Sequence, residues 1–185
     1  FPDRIKNYNK SSCYNTQSNE IAVVTFSSGT TGLPKAIPIS RANLVSRSKT
    51  LDHDYIEFGK NTLHFTQFWA HRILRVFTEG HTLFIYDPKA QGISGIASFL
   101  IKYKITLMVS FIALFREIEL NDDIVLNDLQ AVVILGERGL PSDIAKFETL
   151  TKPHALLMVA YGSNEYLGVC RYIHRHGQAM PHGSI

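Results

Sequence analysis

Cysteine is scarce in this chain: Cys13 and Cys170 are the two in 185 residues, too few for the disulfide framework of a small secreted domain. No apolar run approaches the length that spans a bilayer. No charged start followed by an apolar stretch and a small-residue cleavage site stands at Phe1, so nothing reads as a signal peptide. These absences fit a reducing, cytoplasmic setting and no transmembrane segment. An excess of one charge is also missing: 19 Lys and Arg against 16 Asp and Glu leave +3, too slight to mark a nucleic-acid or lipid surface. There is no internal repeat. The eight histidines are accompanied by no H-E-x-x-H or cysteine pair, and His174 and His176 stand two apart, which argues against zinc. Neither cysteine has the nearby cations that mark a thiolate nucleophile.

What is present is a core. Hydrophobic residues make up 45% and charged residues 19%, the balance of a globular domain. The chain starts at Phe1 and stops at Ile185 after Gly183-Ser184, which leads to the expectation of a fragment. Residues 1–20, polar and rich in Asn and Ser, read as a linker or surface segment, and residues 21–185 as a domain.

Short β-rich runs then alternate with amphipathic stretches. Strands are predicted at IAVVTF (21–26), TLFIY (82–86), ITLMV (105–109), AVVIL (131–135) and ALLMVA (155–160), near-continuous apolar runs of the kind buried on both faces. Helical spacing runs through 93–103, 110–120 and 141–150; in the last, Ile144, Phe147 and Leu150 form one stripe behind Ser142, a candidate N-cap. Repeated strand and helix over 82–160 predicts consecutive βαβ units in an open α/β sheet, mostly parallel, with helices on both faces. Ligands in such sheets bind at the carboxyl ends of the strands.

The most informative segment is Ser27-Ser28-Gly29-Thr30-Thr31-Gly32-Leu33-Pro34-Lys35, between the strand IAVVTF and a second apolar run, AIPI. Four hydroxyls, two glycines and a cation meet there. Glycine lets the backbone approach closely, Ser and Thr supply O–H donors, and Lys35 adds positive charge, the combination a polyphosphate requires. It is not the Walker arrangement, which places four residues between its glycines; here there are two, and Lys35 is followed by Ala36. A plain Gly/Ser/Thr hairpin turn is the competing reading.

SSGTTGLPK after a strand and an aromatic residue resembles the phosphate-binding loop of the adenylate-forming superfamily, which includes acyl-CoA synthetases, luciferases and the adenylation domains of nonribosomal peptide synthetases. The resemblance implies that the fold is part of the family's large N-terminal domain. It also implies that Ser27, Ser28, Gly29, Thr30, Thr31, Gly32 and Lys35 handle the β- and γ-phosphates of ATP while a carboxylate attacks the α-phosphate. Ile39-Ser40-Arg41-Ala42-Asn43-Leu44 resembles the helix start that follows this loop, with Arg41 where a histidine is often found.

Two later segments keep the family's order. Gly136-Glu137-Arg138-Gly139-Leu140-Pro141, after AVVIL, resembles the segment lining the adenine pocket, although a glycine at a strand end and proline at helix position N1 are equally ordinary βα-turn chemistry. Tyr161-Gly162-Ser163-Asn164-Glu165, after ALLMVA, resembles the Y-G-x-T-E motif. By that resemblance Tyr161 stacks on adenine, Gly162 and Ser163 admit the adenylate, and Glu165 ligates Mg2+. Asn164 replaces a threonine whose hydroxyl contacts the α-phosphate, and nucleotide binding is expected to survive that exchange better than turnover. A solvated surface turn is the alternative.

The stretch LHFTQFWAHRIL lies where amino-acid-activating members carry F-D-x-S. Phe65-Thr66-Gln67-Phe68 has no acid to balance a buried ammonium, so an aryl, fatty or other apolar acid walled by Phe68 and Trp69 is the expected substrate, with core packing as the alternative. The implied reaction is activation of a carboxylic acid to an acyl-adenylate, followed by transfer to the pantetheine thiol of CoA or a carrier protein. The T-G-D segment that holds the ribose and the C-terminal lid with its lysine are absent from these 185 residues, so the piece by itself is expected to be inactive. The competing classes are a degenerate nucleotide-binding domain, suggested by Asn164 and the Glu137-Arg138 pair, and a truncated product that folds poorly.

Overall fold

A computed structural model describes residues 17–27, 32–50, 63–66, 70–119, 124–163, 169–179 and 183. The first unit is a hairpin. Strand β1 (Ile21–Ser27) pairs antiparallel with β2 (Lys35–Ser40), and Ser27 stands opposite Lys35 at the end next to the connecting loop. Pro38 sits in β2 opposite Val24; with only one partner strand, a missing N–H can be tolerated there.

Helix α1 (Arg41–Thr50) follows directly. The leading N–H groups of a helix have no partner inside it, and here three find one outside. Arg41 N–H donates to the Glu20 carbonyl and Ala42 N–H to the Ser18 carbonyl, both at 2.9 Å. Asn43 N–H donates to Ser40 Oγ at 3.2 Å. The helix start expected at Ser40-Arg41 is therefore built jointly by the hairpin and by the turn at residues 17–20.

The remaining elements are β3 (Leu63–Thr66), α2 (Ala70–Thr78), β4 (Thr82–Ile85), α3 (Pro88–Gln91), α4 (Gly95–Lys102), β5 (Leu107–Phe111), α5 (Ile112–Arg116), β6 (Ala131–Leu135), α6 (Pro141–Leu150), β7 (Leu156–Tyr161) and β8 (Cys170–Arg175). Their strands form one sheet in the order β4-β3-β5-β6-β7-β8, parallel except for β8, which pairs antiparallel with β7. The chain steps from β3 to β4 in one direction and returns past β3 to β5. Right-handed crossovers in opposite directions place their helices on opposite faces and open a crevice at the carboxyl ends.

Both faces of the central strands are buried. Met108, Val132, Ile134, Leu157 and Val159 join Ile96, Leu100, Phe115, Ile144, Phe147 and Leu150 from α4, α5 and α6 in one cluster. The alternate residues Leu107, Val109, Ala131, Val133, Leu156 and Met158 form a second. The mostly parallel α/β sheet expected from the sequence is the observed fold.

Several details differ from the expectation. Helix 110–120 shrinks to Ile112–Arg116, because β5 runs on to Phe111 to complete its ladder with Leu135. The cap of α6 is Leu140, with Pro141 at N1; Ser142 is already inside the helix. The run at 82–86 is not buried on both faces: β4 is the sheet's edge and Ile85 is exposed. Strand β8 and helix α3 were not anticipated.

Candidate functional site

The register aligns the carboxyl ends of three strands. Phe111 pairs with Leu135, and Leu135 with Ala160, so Gly136 and Tyr161 are the next residues out at neighbouring strand ends. Gly136 has φ +100°, and a Cβ there would lie 2.8 Å from Phe111 Cδ1. Glycine is required on both counts. Tyr161 is 65% exposed and its carbonyl accepts from Val169 N–H at 2.9 Å, which anchors the backbone while the ring faces solvent. Gly162 and Ser163 follow, also exposed.

Glu137 and Arg138 belong to a polar cluster that the sequence did not reveal. Arg116, at the end of α5, donates from Nε and one terminal nitrogen to the two carboxylate oxygens of Asp143, at 2.8 and 2.9 Å. It also reaches Glu137 Oε2 at 3.2 Å and the Arg138 carbonyl at 3.1 Å. Asp143 is buried, and its second oxygen accepts the Leu140 N–H at 2.8 Å. The bonds to Asp143, foremost, raise the Arg116 pKa. Lys146 donates to the Arg116 carbonyl, and burial lowers its pKa.

Beside this cluster lies a cleft of about 420 Å³, lined by Ile93, Phe111, Ala113, Leu114, Glu117, Leu135, Gly136 and Glu137. Its walls are mainly apolar and its position is the carboxyl ends of β5 and β6, where ligands of open α/β sheets bind.

Of the remaining predicted residues, Ser27, Gly32 and Lys35 lie on the hairpin. Ser27 is half-buried, Gly32 and Lys35 are exposed, and Gly32 has φ +84°. The structure thus groups Ser27 and Lys35 at the mouth of a hairpin loop, and Gly136, Glu137, Arg138 and Tyr161 at the ends of adjacent strands in the larger sheet. Ser28, Gly29, Thr30, Thr31, Phe68, Trp69, Asn164 and Glu165 lie outside the described residues. Among the described residues, no group of three or more His, Cys, Asp or Glu side chains is placed to hold a metal, and no helix is long and apolar enough to cross a membrane.

The sequence matches the family described as AMP-binding enzyme over residues 3–185. The chain belongs to this family. The fold of this AMP-binding chain is found in solved structures of low sequence identity. The adenylation domain AlmE of Vibrio cholerae, in complex with glycyl-adenosine-5'-phosphate, superposes with a TM-score of 0.73 at 20% identity, over 89% of this chain and 32% of that one. The Klebsiella oxytoca NpsA N-terminal subdomain, in complex with 3-hydroxybenzoyl-AMSN, gives 0.68 at 18% identity, over 93% and 45%. The luciferase-like enzyme from the nonluminescent Zophobas morio mealworm gives 0.66 at 24% identity, over 85% and 38%. The chain therefore spans less than half the length of each. No curated protein matches it in sequence.

Proposed function

We propose that this protein takes part in ATP-dependent activation of a carboxylic acid. A carboxylate oxygen attacks the α-phosphorus of ATP, the bond to the pyrophosphate leaving group breaks, and an acyl-adenylate forms. A pantetheine thiol, on CoA or a carrier protein, then attacks the acyl carbonyl and releases AMP. Residues 21–185 are assigned to part of the AMP-binding domain, and residues 1–20 to a linker or surface segment.

The observation that carries the reading is the adjacency of Gly136 and Tyr161 at neighbouring strand ends in a chain of the AMP-binding enzyme family. In this proposal the Tyr161 ring stacks on adenine, the backbone of Gly136, Glu137 and Arg138 borders it, and Gly162 and Ser163 leave room for the adenylate. Ser27, Ser28, Gly29, Thr30, Thr31, Gly32 and Lys35 bind the polyphosphate. Backbone N–H groups, hydroxyls and one ammonium group suit the charge that develops on the pyrophosphate. Asn164 offers an amide donor to the α-phosphate. Glu165 is the residue to hold Mg2+, since a hard cation accepts one carboxylate together with phosphate oxygens. When bound, that ion neutralises phosphate charge. Phe68, Trp69 and the apolar cleft beside Phe111 favour an aryl or fatty acid over an α-amino acid.

The test is ATP–pyrophosphate exchange by the full-length protein across aryl, fatty and α-amino acids. Exchange that depends on an aryl or fatty acid supports the proposal. ATP binding without exchange for any acid favours the degenerate nucleotide-binding domain, and absence of ATP binding overturns both.

A further inference from the structure

The polar cluster at the end of α5 holds the loop between β6 and α6. Four acceptor atoms converge on Arg116: both carboxylate oxygens of Asp143, Glu137 Oε2 and the carbonyl oxygen of Arg138. Asp143 in turn is joined to both backbone groups of Leu140, its carboxylate accepting from the N–H at 2.8 Å and its own N–H donating to the carbonyl at 2.9 Å. The loop is therefore tied at Glu137, Arg138 and Leu140 to one guanidinium and one carboxylate. At its near end, Gly136 is fixed by a positive φ and by the Phe111 ring.

A buried carboxylate needs a partner that satisfies it geometrically as well as electrically. The planar guanidinium fork does this while keeping donors for a third and a fourth acceptor, which a lysine ammonium on a flexible stem cannot reproduce. The contacts of Arg116 itself are not what forms β6 or α6, although Asp143 also caps the first turn of α6. Beta-strand pairing, the Pro141 start and the apolar stripe supply those. What the fork adds is one fixed path for the backbone between them.

We propose that Arg116 is a positioning residue. Acting with Asp143, it sets the conformation of residues 136–140 and thereby the backbone presented to the nucleotide. This inference rests on the assignment of 136–138 to nucleotide contact made above.

The experiment compares the intact protein with R116K and D143N, using Mg·ATP as the probe. R116K is expected to weaken ATP binding about tenfold, equivalent to about 1.4 kcal/mol. Amide hydrogen exchange is expected to accelerate at residues 136–140, while the melting temperature stays within a few degrees of the parent. If R116K loses its cooperative melt, D143N carries the same expectation, because it removes the charge and one of the two oxygens that the guanidinium binds while keeping the side-chain volume. ATP affinity within twofold of the parent in a folded variant overturns the positioning role, whatever happens to the melting temperature. A parent protein that does not bind ATP overturns the nucleotide assignment itself, and the positioning role with it. The two failures are thus distinguishable.

Discussion

The Phe111 ring lies against Gly136 so closely that a Cβ on the glycine would stand 2.8 Å from Phe111 Cδ1. The contact joins the ends of β5 and β6, and both residues line the cleft. G136A is expected to destabilise the fold by about 1–3 kcal/mol from the positive φ, with more from displacing the ring. F111A/G136A restores the space but leaves the φ strained, so it should recover part of the clash penalty while losing the Phe111 packing. Chemical denaturation of the parent and of both variants measures the two contributions; a G136A protein as stable as the parent would contradict the assigned geometry.

Away from the cleft, α6 and β8 meet through titratable groups. His174, fully buried, shares a hydrogen bond with Glu148 Oε1 at 2.9 Å, and the same oxygen accepts the Gly177 N–H at 3.1 Å. The His174 bond, with the Gly177 N–H second, holds Glu148 below the usual carboxylate range. His176, bonded to Thr151 Oγ1 at 2.9 Å, is pushed down chiefly by burial. Both signs agree. A depressed histidine loses stability as pH falls from about 6.5 through its folded pKa, and a depressed carboxylate as pH falls from about 4.5 through its own. Melting temperature should therefore decline in two stages on acidification. H176N, whose amide can still meet Thr151, should flatten the first stage, and E148Q the second. An unchanged profile in either variant would refute its share.

Lys35 is exposed, at the mouth of the hairpin loop, so its removal should spare the fold. K35A is expected to leave the melting temperature unchanged and to lower acid-dependent exchange about a hundredfold, the usual effect of removing one donor that stabilises developing charge. Exchange at the parent rate would remove Lys35 from the phosphate site.

The sequence made some of this legible for identifiable reasons. AVVIL is β6 without adjustment, and the stripe Ile144, Phe147 and Leu150 is the buried face of α6, because in each case burial follows local periodicity. The boundary near Ser110 differs from the expectation because this one polar residue, between apolar runs on both sides from Leu107 to Phe115, reads as a helix start; the ladder to β6 carries the strand past it to Phe111. Strand β8 was invisible for the opposite reason. Cys170–Arg175 is largely polar and buries mainly His174, since an edge strand needs only one neighbour. The glycine-rich loop and Tyr161 carry the resemblance to the family that the chain belongs to, and their roles belong to the proposal. The tie between Arg116 and Asp143 was not legible, because they stand 27 positions apart and only the β5–β6 ladder, which sets α5 beside the loop leading into α6, brings them together.

In the proposed site, nucleotide is held at the carboxyl ends of β6 and β7, with its phosphates directed to the hairpin loop. The most direct test is photolabelling of the protein with an azido-adenine analogue of ATP in the presence of Mg2+, followed by mapping of the modified peptides. Saturable labelling is expected, abolished by excess ATP, on peptides containing residues 136–138 or Tyr161. Saturable labelling confined to other segments, or none that ATP displaces, would contradict it.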